Sequence, residues 1–243
     1  MERISYDRMA EQDSTHWWYV ARRQILATLL ERRLGGADPD RRILEIGCGT
    51  GHNLPMLARF GTLDAIELDD QSREVAQARL GRPIYNTRLP ELEGLPPGQY
   101  DVIALLDVLE HIEDDRGALK AIAGRLKPGG TLLLTVPQHP WMWSGHDAAN
   151  HHFRRYTRAG LEAVIAQSGL KTDLLQSFNS LLFPLAAADR LRARVTGREG
   201  AADAEPPGPV NALFKSVFGL ERHLIGRVPM PPGVSMVALL RAP

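Results

Sequence analysis

The sequence predicts an α/β fold built around a mainly parallel sheet. Short apolar runs alternate along the chain with amphipathic segments of about ten residues, which is typical of strands joined by crossover helices. The two strongest runs, 101–106 and 131–136, are apolar almost throughout, as strands covered on both faces usually are. A glycine-rich loop directly follows the first apolar run of the chain, 43–46. The length of 243 residues fits one domain of this kind.

The first half of the chain opens with a long helix over 15–34, where apolar residues recur at a spacing of three or four and two glycines follow. Each strand is a short apolar run, most of them ended by glycine or proline. The predicted strands are 43–46, 63–68, 84–86, 101–106, 131–136, 170–177 and 234–240. The other predicted helices of the domain are 52–60, 71–80, 114–126 and 158–167.

The pattern changes after residue 180. Two apolar helical segments, 180–194 and 210–226, flank a connector rich in proline and alanine over 197–209, which predicts a mobile link. We interpret this region as a helical insertion before the last strand, not as a separate domain.

Composition excludes several classes of protein. The 29 basic and 29 acidic residues cancel, which argues against a dedicated nucleic-acid-binding protein. No run approaches the roughly 18 apolar residues of a membrane span, and the polar N-terminus resembles no secretory signal. The single cysteine, Cys48, rules out an intrachain disulfide, so we expect a reducing compartment, the cytoplasm. Charge is uneven, with an acidic excess over 60–115 and a basic excess over 116–160.

The glycine loop has the spacing Gly47-x-Gly49-x-Gly51 and separates a strand from a helix. Glycines allow a sharp turn and a close approach of backbone to ligand, and the N–H groups that open the next helix are free donors. Glu67 ends the second strand, where a carboxylate can accept both hydroxyls of a ribose. Together, the glycine loop and Glu67 predict an adenosine-containing ligand. We interpret Cys48 as a small residue in a tight loop, not as a nucleophile.

Four motifs in this order resemble the class I S-adenosylmethionine-dependent methyltransferases. They are Glu45-Ile-Gly-Cys-Gly-Thr-Gly51, the acid Glu67, the segment Tyr100–Ile112, and Leu126-Lys-Pro-Gly-Gly-Thr-Leu-Leu-Leu134. The resemblance implies a Rossmann-like sheet of seven strands in the order 3-2-1-4-5-7-6, with strand seven antiparallel. It also implies S-adenosylmethionine as cofactor and S-adenosylhomocysteine as product. The corresponding division is an N-terminal helical lid over 1–42, a cofactor-binding core over 43–179, the insertion over 180–231 and the last strand over 232–243.

The same resemblance assigns cofactor contacts. Gly47, Cys48 and Gly49 are expected along the methionine part, Glu67 at the ribose, and Leu68 on the adenine. Asp107 is expected at the amino group, and Arg22 or Arg23 at the carboxylate. Asn86 stands where many relatives have an aspartate for the adenine amine, so Asn86 or a backbone group is expected there. The predicted set is Trp18, Arg22, Glu45, Gly47, Cys48, Gly49, Glu67, Leu68, Asn86, Leu89, Asp107 and Val108.

Segment 136–157, which we term the acceptor segment, holds four of the eight histidines between residues 139 and 152. Three interpretations remain open. His146 or His152 is a general base oriented by Asp147; or the histidines bind a metal that lowers the pKa of the acceptor; or Arg154, Arg155 and Tyr156 bind an anionic acceptor or brace the loop. The spacing matches no standard zinc pattern, so no metal is predicted. The catalytic candidates are His146, Asp147, His152, Tyr156 and His111.

The predicted function is methyl transfer from S-adenosylmethionine to oxygen or nitrogen of a small-molecule or lipid- or glycan-linked acceptor. The alternative is a non-catalytic cofactor-binding protein, or one that activates a partner. We expect a monomer or homodimer. The apolar faces of 180–226 are expected to cap the acceptor pocket, to form a dimer, or to contact a membrane, in that order of preference.

Overall fold

A computed structural model describes residues 10–95, 97–197 and 206–243, and a six-stranded mixed sheet organises them. The strands are β1 (Arg42–Ile46), β2 (Thr62–Ile66), β3 (Tyr100–Leu106), β4 (Leu126–Pro137), β5 (Lys171–Phe178) and β6 (Ser235–Arg241). Their order across the sheet is β2-β1-β3-β4-β6-β5. The first four strands pair in parallel, and β6 is antiparallel to both of its neighbours.

The prediction of seven strands is wrong for the described residues. The segment 84–86 is reduced to a single parallel bridge between Ile66 and Tyr85. Polar Asn86, Thr87 and Arg88 follow at once, so no apolar run is available to extend the pairing. The six strands follow the predicted order with that strand left out, and the last strand is antiparallel as expected, but the seven-strand order is not confirmed.

Nine helices lie wholly within the described ranges, together with 3₁₀ turns at Leu109–His111 and Pro140–Met142. They are α1 (Trp17–Leu34), α2 (Leu54–Leu57), α3 (Asp70–Leu80), α4 (Asp115–Ala123), α5 (Gly145–Ala149), α6 (Arg158–Ala166), α7 (Phe183–Thr196), α8 (Gly208–Gly219) and α9 (Glu221–Leu224). Predicted helix 52–60 shrinks to α2, and 210–226 divides into α8 and α9. Most of the predicted mobile connector, residues 198–205, lies outside the described ranges, as do residues 1–9.

Two hydrophobic cores cover the two faces of the sheet. Because side chains alternate along a strand, Leu44 and Ile46 of β1 enter one core, whereas Ile43 enters the other. Helices α4 and α6 complete the first core. Helices α1, α2 and α8 contribute to the second. Coverage on both faces explains why the central strands are largely apolar, and it leaves the carboxyl ends of the parallel strands open for a site.

The helices after β5 are fixed to the N-terminal helix and to the end of β5. The ring of Trp17 meets Phe214 and Phe218 edge-on, with centroids 5.5 and 5.9 Å away. The Trp17 backbone N–H donates to Asn211 Oδ1 over 2.8 Å. Buried Glu221 accepts the backbone N–H groups of residues 179, 180 and 181. Among the described helices, none combines the length and apolar character of a membrane span.

Candidate functional site

A cavity of about 740 Å³ lies at the carboxyl ends of the parallel strands. Ile46, Ile66, Leu106 and Pro137, each at the end of one strand, form part of its wall. Residues of α1 and α7 contribute from above the sheet. Loops that follow several strands meet at this edge, which is where open α/β sheets bind ligands.

Most of the residues singled out in the sequence meet in this cavity. Those that line it are Trp18, Arg22, Gly47, Cys48, Gly49, Glu67, Leu68, Leu89, Asp107, Val108, His111, His146 and His152. Four others do not line it: Glu45, Asn86, Asp147 and Tyr156. Asn86 is exposed, and its neighbours Thr87 and Leu89 reach the cavity instead. The expectation that Asn86 contacts the adenine therefore has no geometric support.

The glycine loop turns tightly because its glycines adopt conformations that other residues avoid. Gly47 and Gly49 have φ of 71° and 55°. A Cβ atom on Gly47 would lie 2.7 Å from Cγ2 of Val108, closer than carbon atoms pack. Glu67 holds the loop from the next strand, since its Oε2 accepts the Gly49 backbone N–H over 2.7 Å and its Oε1 accepts that of Leu68 over 2.8 Å. The loop and the carboxylate thus form one unit on the cavity wall.

Glu45 lies beneath this loop. Its Oε1 accepts the side-chain amide of Asn53 over 2.9 Å, whereas its Oε2 is buried without a hydrogen-bond partner among the described residues. Burial raises the pKa of Glu45 to about 8, although the Asn53 hydrogen bond opposes that rise. Glu45 therefore supports the loop as a buried, largely protonated carboxyl near neutral pH, and its sequence-predicted cofactor contact would have to be indirect.

Replacing Glu45 by glutamine is expected to flatten the pH dependence of stability. Between the ordinary pKa of 4.5 and about 8, the folded protein holds a proton that the unfolded chain has released. The free energy of unfolding of the native protein therefore falls as pH rises through this window, by an amount on the order of a few kcal/mol. Thermal melting of the native and E45Q proteins at pH 5 and pH 8 measures this loss of stability. Exposed Glu74→Gln is the control, and an E45Q protein whose melting temperature falls as steeply as that of the native protein refutes the assignment.

Cys48 lines the cavity but has no nucleophilic character. Burial raises the pKa of its thiol, and the nearby carboxyls of Glu45 and Glu67 raise it further. A thiol that stays protonated is a poor nucleophile. Its placement in the tight loop agrees with the interpretation as a small packing residue.

Arg22 and Asp107 form an ion pair in the cavity wall. Arg22 Nη2 donates to Asp107 Oδ2 over 2.5 Å and to Thr135 Oγ1 over 2.8 Å. The guanidinium carbon of Arg22 lies 5.0 Å from the ring centroid of Trp18, in cation–π contact. Asp107 itself has a φ of 56°, an unusual backbone conformation for an aspartate. Both residues lie where the sequence predicts cofactor contacts, and they are bound to each other.

Several cavity residues were not predicted from the sequence. They are Gln12, His16, Tyr19, His52, Asn53, Thr87 and Glu110, among others. The rings of Tyr19 and His52 lie 5.3 Å apart, and burial lowers the pKa of His52 well below its ordinary value. Residues three apart share a helix face, so Arg22 could have indicated Tyr19, which lies three positions before it. Nothing local in the sequence marks His52.

On the acceptor side, Asp147 is fully buried and binds three other residues of the acceptor segment. Its Oδ1 lies 2.9 Å from Nδ1 of His152 and accepts Arg155 Nε over 2.7 Å. Its Oδ2 accepts the backbone N–H of Ser144 over 2.9 Å, which caps the unpredicted helix α5. Burial alone would raise the pKa of Asp147, but the hydrogen bonds from His152 and Arg155 outweigh it and hold the pKa well below its ordinary value. The structure therefore pairs the ionised Asp147 with His152.

His152 also approaches two other titratable groups. Its ring centroid lies 4.6 Å from that of His111 in edge-to-face contact. Burial and proximity to His152 lower the pKa of His111 to about 3, so His111 is neutral. Burial, then the charge of Asp107, raises the pKa of Glu110 well above its ordinary value. Glu110, His111 and His152 each offer one ligand atom within 4.8 Å of the others, an arrangement that could hold a metal ion and that their spacing did not indicate.

The remaining candidates of the acceptor segment brace the loop. The hydroxyl of Tyr156 donates to Asp115 Oδ2 over 2.9 Å, and Arg154 pairs with the same carboxyl over 2.7 Å. Burial raises the pKa of the Tyr156 hydroxyl, and Asp115 raises it further. Arg155 is engaged by Asp147. A catalytic role for Tyr156 thus has no geometric support, because its hydroxyl is buried away from the cavity.

The chain matches the family described as "Methyltransferase domain" over residues 17–175, more than half of its length. Over 213 residues it is 29% identical to the ubiquinone biosynthesis O-methyltransferase of Xanthomonas euvesicatoria pv. vesicatoria, covering 79% of this chain and 84% of that protein. It is 34% identical over 106 residues to the protein of the same name from Xanthomonas campestris pv. campestris, covering 41% of this chain. That match spans only 44% of the relative's length.

Among solved structures, the fold is similar to that of geranyl diphosphate C-methyltransferase from Streptomyces coelicolor, solved with S-adenosylhomocysteine. The TM-score is 0.56 at 15% identity, covering 89% of this chain and 78% of the other. At that identity the similarity concerns the fold alone.

Proposed function

Since the chain belongs to the S-adenosylmethionine-dependent methyltransferase family, we propose that it transfers a methyl group to a hydroxyl oxygen of a small-molecule acceptor, with His152 as general base. The observation that carries the choice of base is the buried Asp147–His152 pair at the cavity wall. The names of the ubiquinone biosynthesis relatives favour oxygen as the methylated atom. Methylation of nitrogen or of a lipid- or glycan-linked acceptor is the competing outcome.

The cofactor half of the cavity suits S-adenosylmethionine. Its polar groups are the Glu67 carboxylate for the ribose and the Asp107 carboxylate for the amino group, beside a loop that leaves no room for a Cβ on Gly47. When bound, the cofactor supplies an electrophilic methyl group on a sulfonium. Arg22 would hold Asp107 in place through their ion pair, and Trp18 would close the cavity from α1.

The acceptor half supplies the base. An ionised Asp147 favours the His152 tautomer that carries its proton on Nδ1 and leaves Nε2 free to accept a proton. As the new O–C bond forms and the S–C bond breaks, the hydroxyl proton moves to Nε2 of His152. The neutral ring of His111, whose centroid lies 4.6 Å from that of His152, packs against the base without competing for that proton. Residues of α1 and the acceptor segment exclude water, so the enzyme needs chiefly to align the two reactants.

Incubation with methyl-labelled S-adenosylmethionine and a cell extract, followed by mass spectrometry of the labelled product, tests this function. The expected product is a small molecule that carries one labelled methyl group on oxygen. Calorimetric titration with S-adenosylhomocysteine is run beside it. Absence of cofactor binding refutes the function outright, and a product labelled on nitrogen or carbon refutes the choice of oxygen.

A further inference from the structure

We infer that Arg190 of helix α7 binds an anionic group, a carboxylate or a phosphate, on the acceptor, and so selects a negatively charged substrate. This inference rests on the proposed function, because it assigns a substrate class to the same cavity. It concerns a helix outside the segments that carry the family motifs.

The first observation is that Arg190 lines the cavity without a partner. Its side chain makes no hydrogen bond or ion pair to any described residue, and its Nε atom is buried. The other basic side chains at the cavity differ. Arg22 is paired with Asp107 and Arg155 with Asp147, whereas Arg88 is exposed in the loop after the Ile66–Tyr85 bridge. A half-buried guanidinium facing a cavity is most stable when an anion accepts its hydrogen bonds.

The second observation places Arg190 on the acceptor side. Positions 183, 190 and 194 share one face of α7, because their spacing is seven and four residues. Phe183 packs on His139, with ring centroids 5.2 Å apart, and the guanidinium of Arg194 donates to the backbone carbonyl of Trp141. This face therefore lies against the acceptor segment. Arg190, on the same face, lines the cavity.

The third observation defines the rest of the ligand. Glu110 and Asn150 line the cavity, are 1% and 5% exposed, and each has one oxygen without a hydrogen-bond partner: Oε2 of Glu110 and Oδ1 of Asn150. Such atoms call for hydrogen-bond donors. Together with the cation of Arg190, they suit a hydroxylated organic anion, whose hydroxyl groups face the acceptor segment and whose charge faces α7.

The test uses the full-length protein saturated with S-adenosylhomocysteine and titrates it calorimetrically with benzoate, inorganic phosphate and neutral benzyl alcohol. Arg190→Met is expected to weaken binding of the preferred anion about tenfold or more, since a charge-assisted contact is lost. Benzyl alcohol is expected to bind the native and R190M proteins equally. Preference for benzoate over phosphate identifies a carboxylate, and the reverse preference identifies a phosphate.

Arg192→Met is the matched control, because Arg192 lies on the same helix, is exposed and is paired with Asp189 over 2.7 Å. It is expected to bind each probe as the native protein does, and Arg190→Lys is expected to recover part of the affinity. The inference is overturned if neither anion binds the loaded native protein, or if R190M binds both anions unchanged. Failure of S-adenosylhomocysteine to bind would instead refute the proposed function, so the two failures are distinguishable.

Discussion

Replacing His152 by alanine is expected to lower kcat for the extract-derived acceptor by about 10²- to 10⁴-fold, the range that a general base contributes. Binding of S-adenosylmethionine is expected to stay within about twofold of the native value, because His152 belongs to the acceptor side of the cavity. Steady-state assays give kcat, and calorimetry gives the cofactor affinity. His151→Asn is the matched control: His151 is exposed, and asparagine tolerates its φ of 54°.

Asp147→Asn separates the base from the residue that positions it. Asparagine keeps an oxygen for the Ser144 cap but removes the charge that stabilises the tautomer and the cationic form of His152. We expect a lower kcat with little change in KM, because a neutral asparagine no longer stabilises the imidazolium that forms when His152 takes the hydroxyl proton. A D147N protein that folds and keeps the native kcat would mean that Asp147 serves only the fold. An H152A protein that turns over at the native rate contradicts the base assignment directly.

Chelation distinguishes the base from a metal centre. Glu110, His111 and His152 could hold an ion, and a metal would then lower the acceptor pKa. Because the proposed base needs no metal, treatment with EDTA is expected to leave turnover unchanged. Loss of activity that Mg²⁺ or Zn²⁺ restores would assign His152 to a metal centre instead.

Gly47→Ala is expected to have the largest effect on the cofactor side, lowering the affinity for S-adenosylmethionine at least tenfold. The methyl group would meet Val108 Cγ2 at 2.7 Å, and Val108 lines the cavity, so relief of the clash pushes Val108 into the cofactor's space. The backbone cost of a φ of 71° adds about 1–2 kcal/mol to the loss of stability. Titration calorimetry and thermal melting measure the two effects.

Gly81→Ala controls for the backbone cost. Gly81 has nearly the same φ, 72°, but no atom lies within 4 Å of the position of its Cβ. This variant is expected to lose stability by a similar backbone term and to bind S-adenosylmethionine normally. Equal affinities in G47A, G81A and the native protein would show that the cofactor does not approach Gly47.

Much of the cofactor half could be predicted from the sequence, because its determinants lie close together along the chain. The glycine loop and Glu67 are separated by one helix and one strand. The apolar runs on either side predict two buried strands, which pair in parallel and bring the loop and Glu67 to the same edge of the sheet. The prediction of a third strand at 84–86 was wrong. One apolar position, Ile84, cannot maintain a ladder once polar residues follow it.

The pairings in the acceptor half of the cavity could not be predicted from the sequence, because tertiary contacts determine them. His146 and His152 are equally plausible partners of Asp147 in the sequence, but the cap of α5 occupies Oδ2 of Asp147 and leaves Oδ1 for His152 and Arg155.

By itself, the sequence determined the α/β architecture, the glycine loop and the place of Glu67 at the end of the second strand, because strand patterning and turn chemistry act over short stretches of chain. Only the tertiary structure decided that His152 contacts Asp147, that the hydroxyl of Tyr156 donates to Asp115, and that Arg190 lines the cavity. These pairings join residues from separate loops and helices, and their distances depend on how whole elements pack.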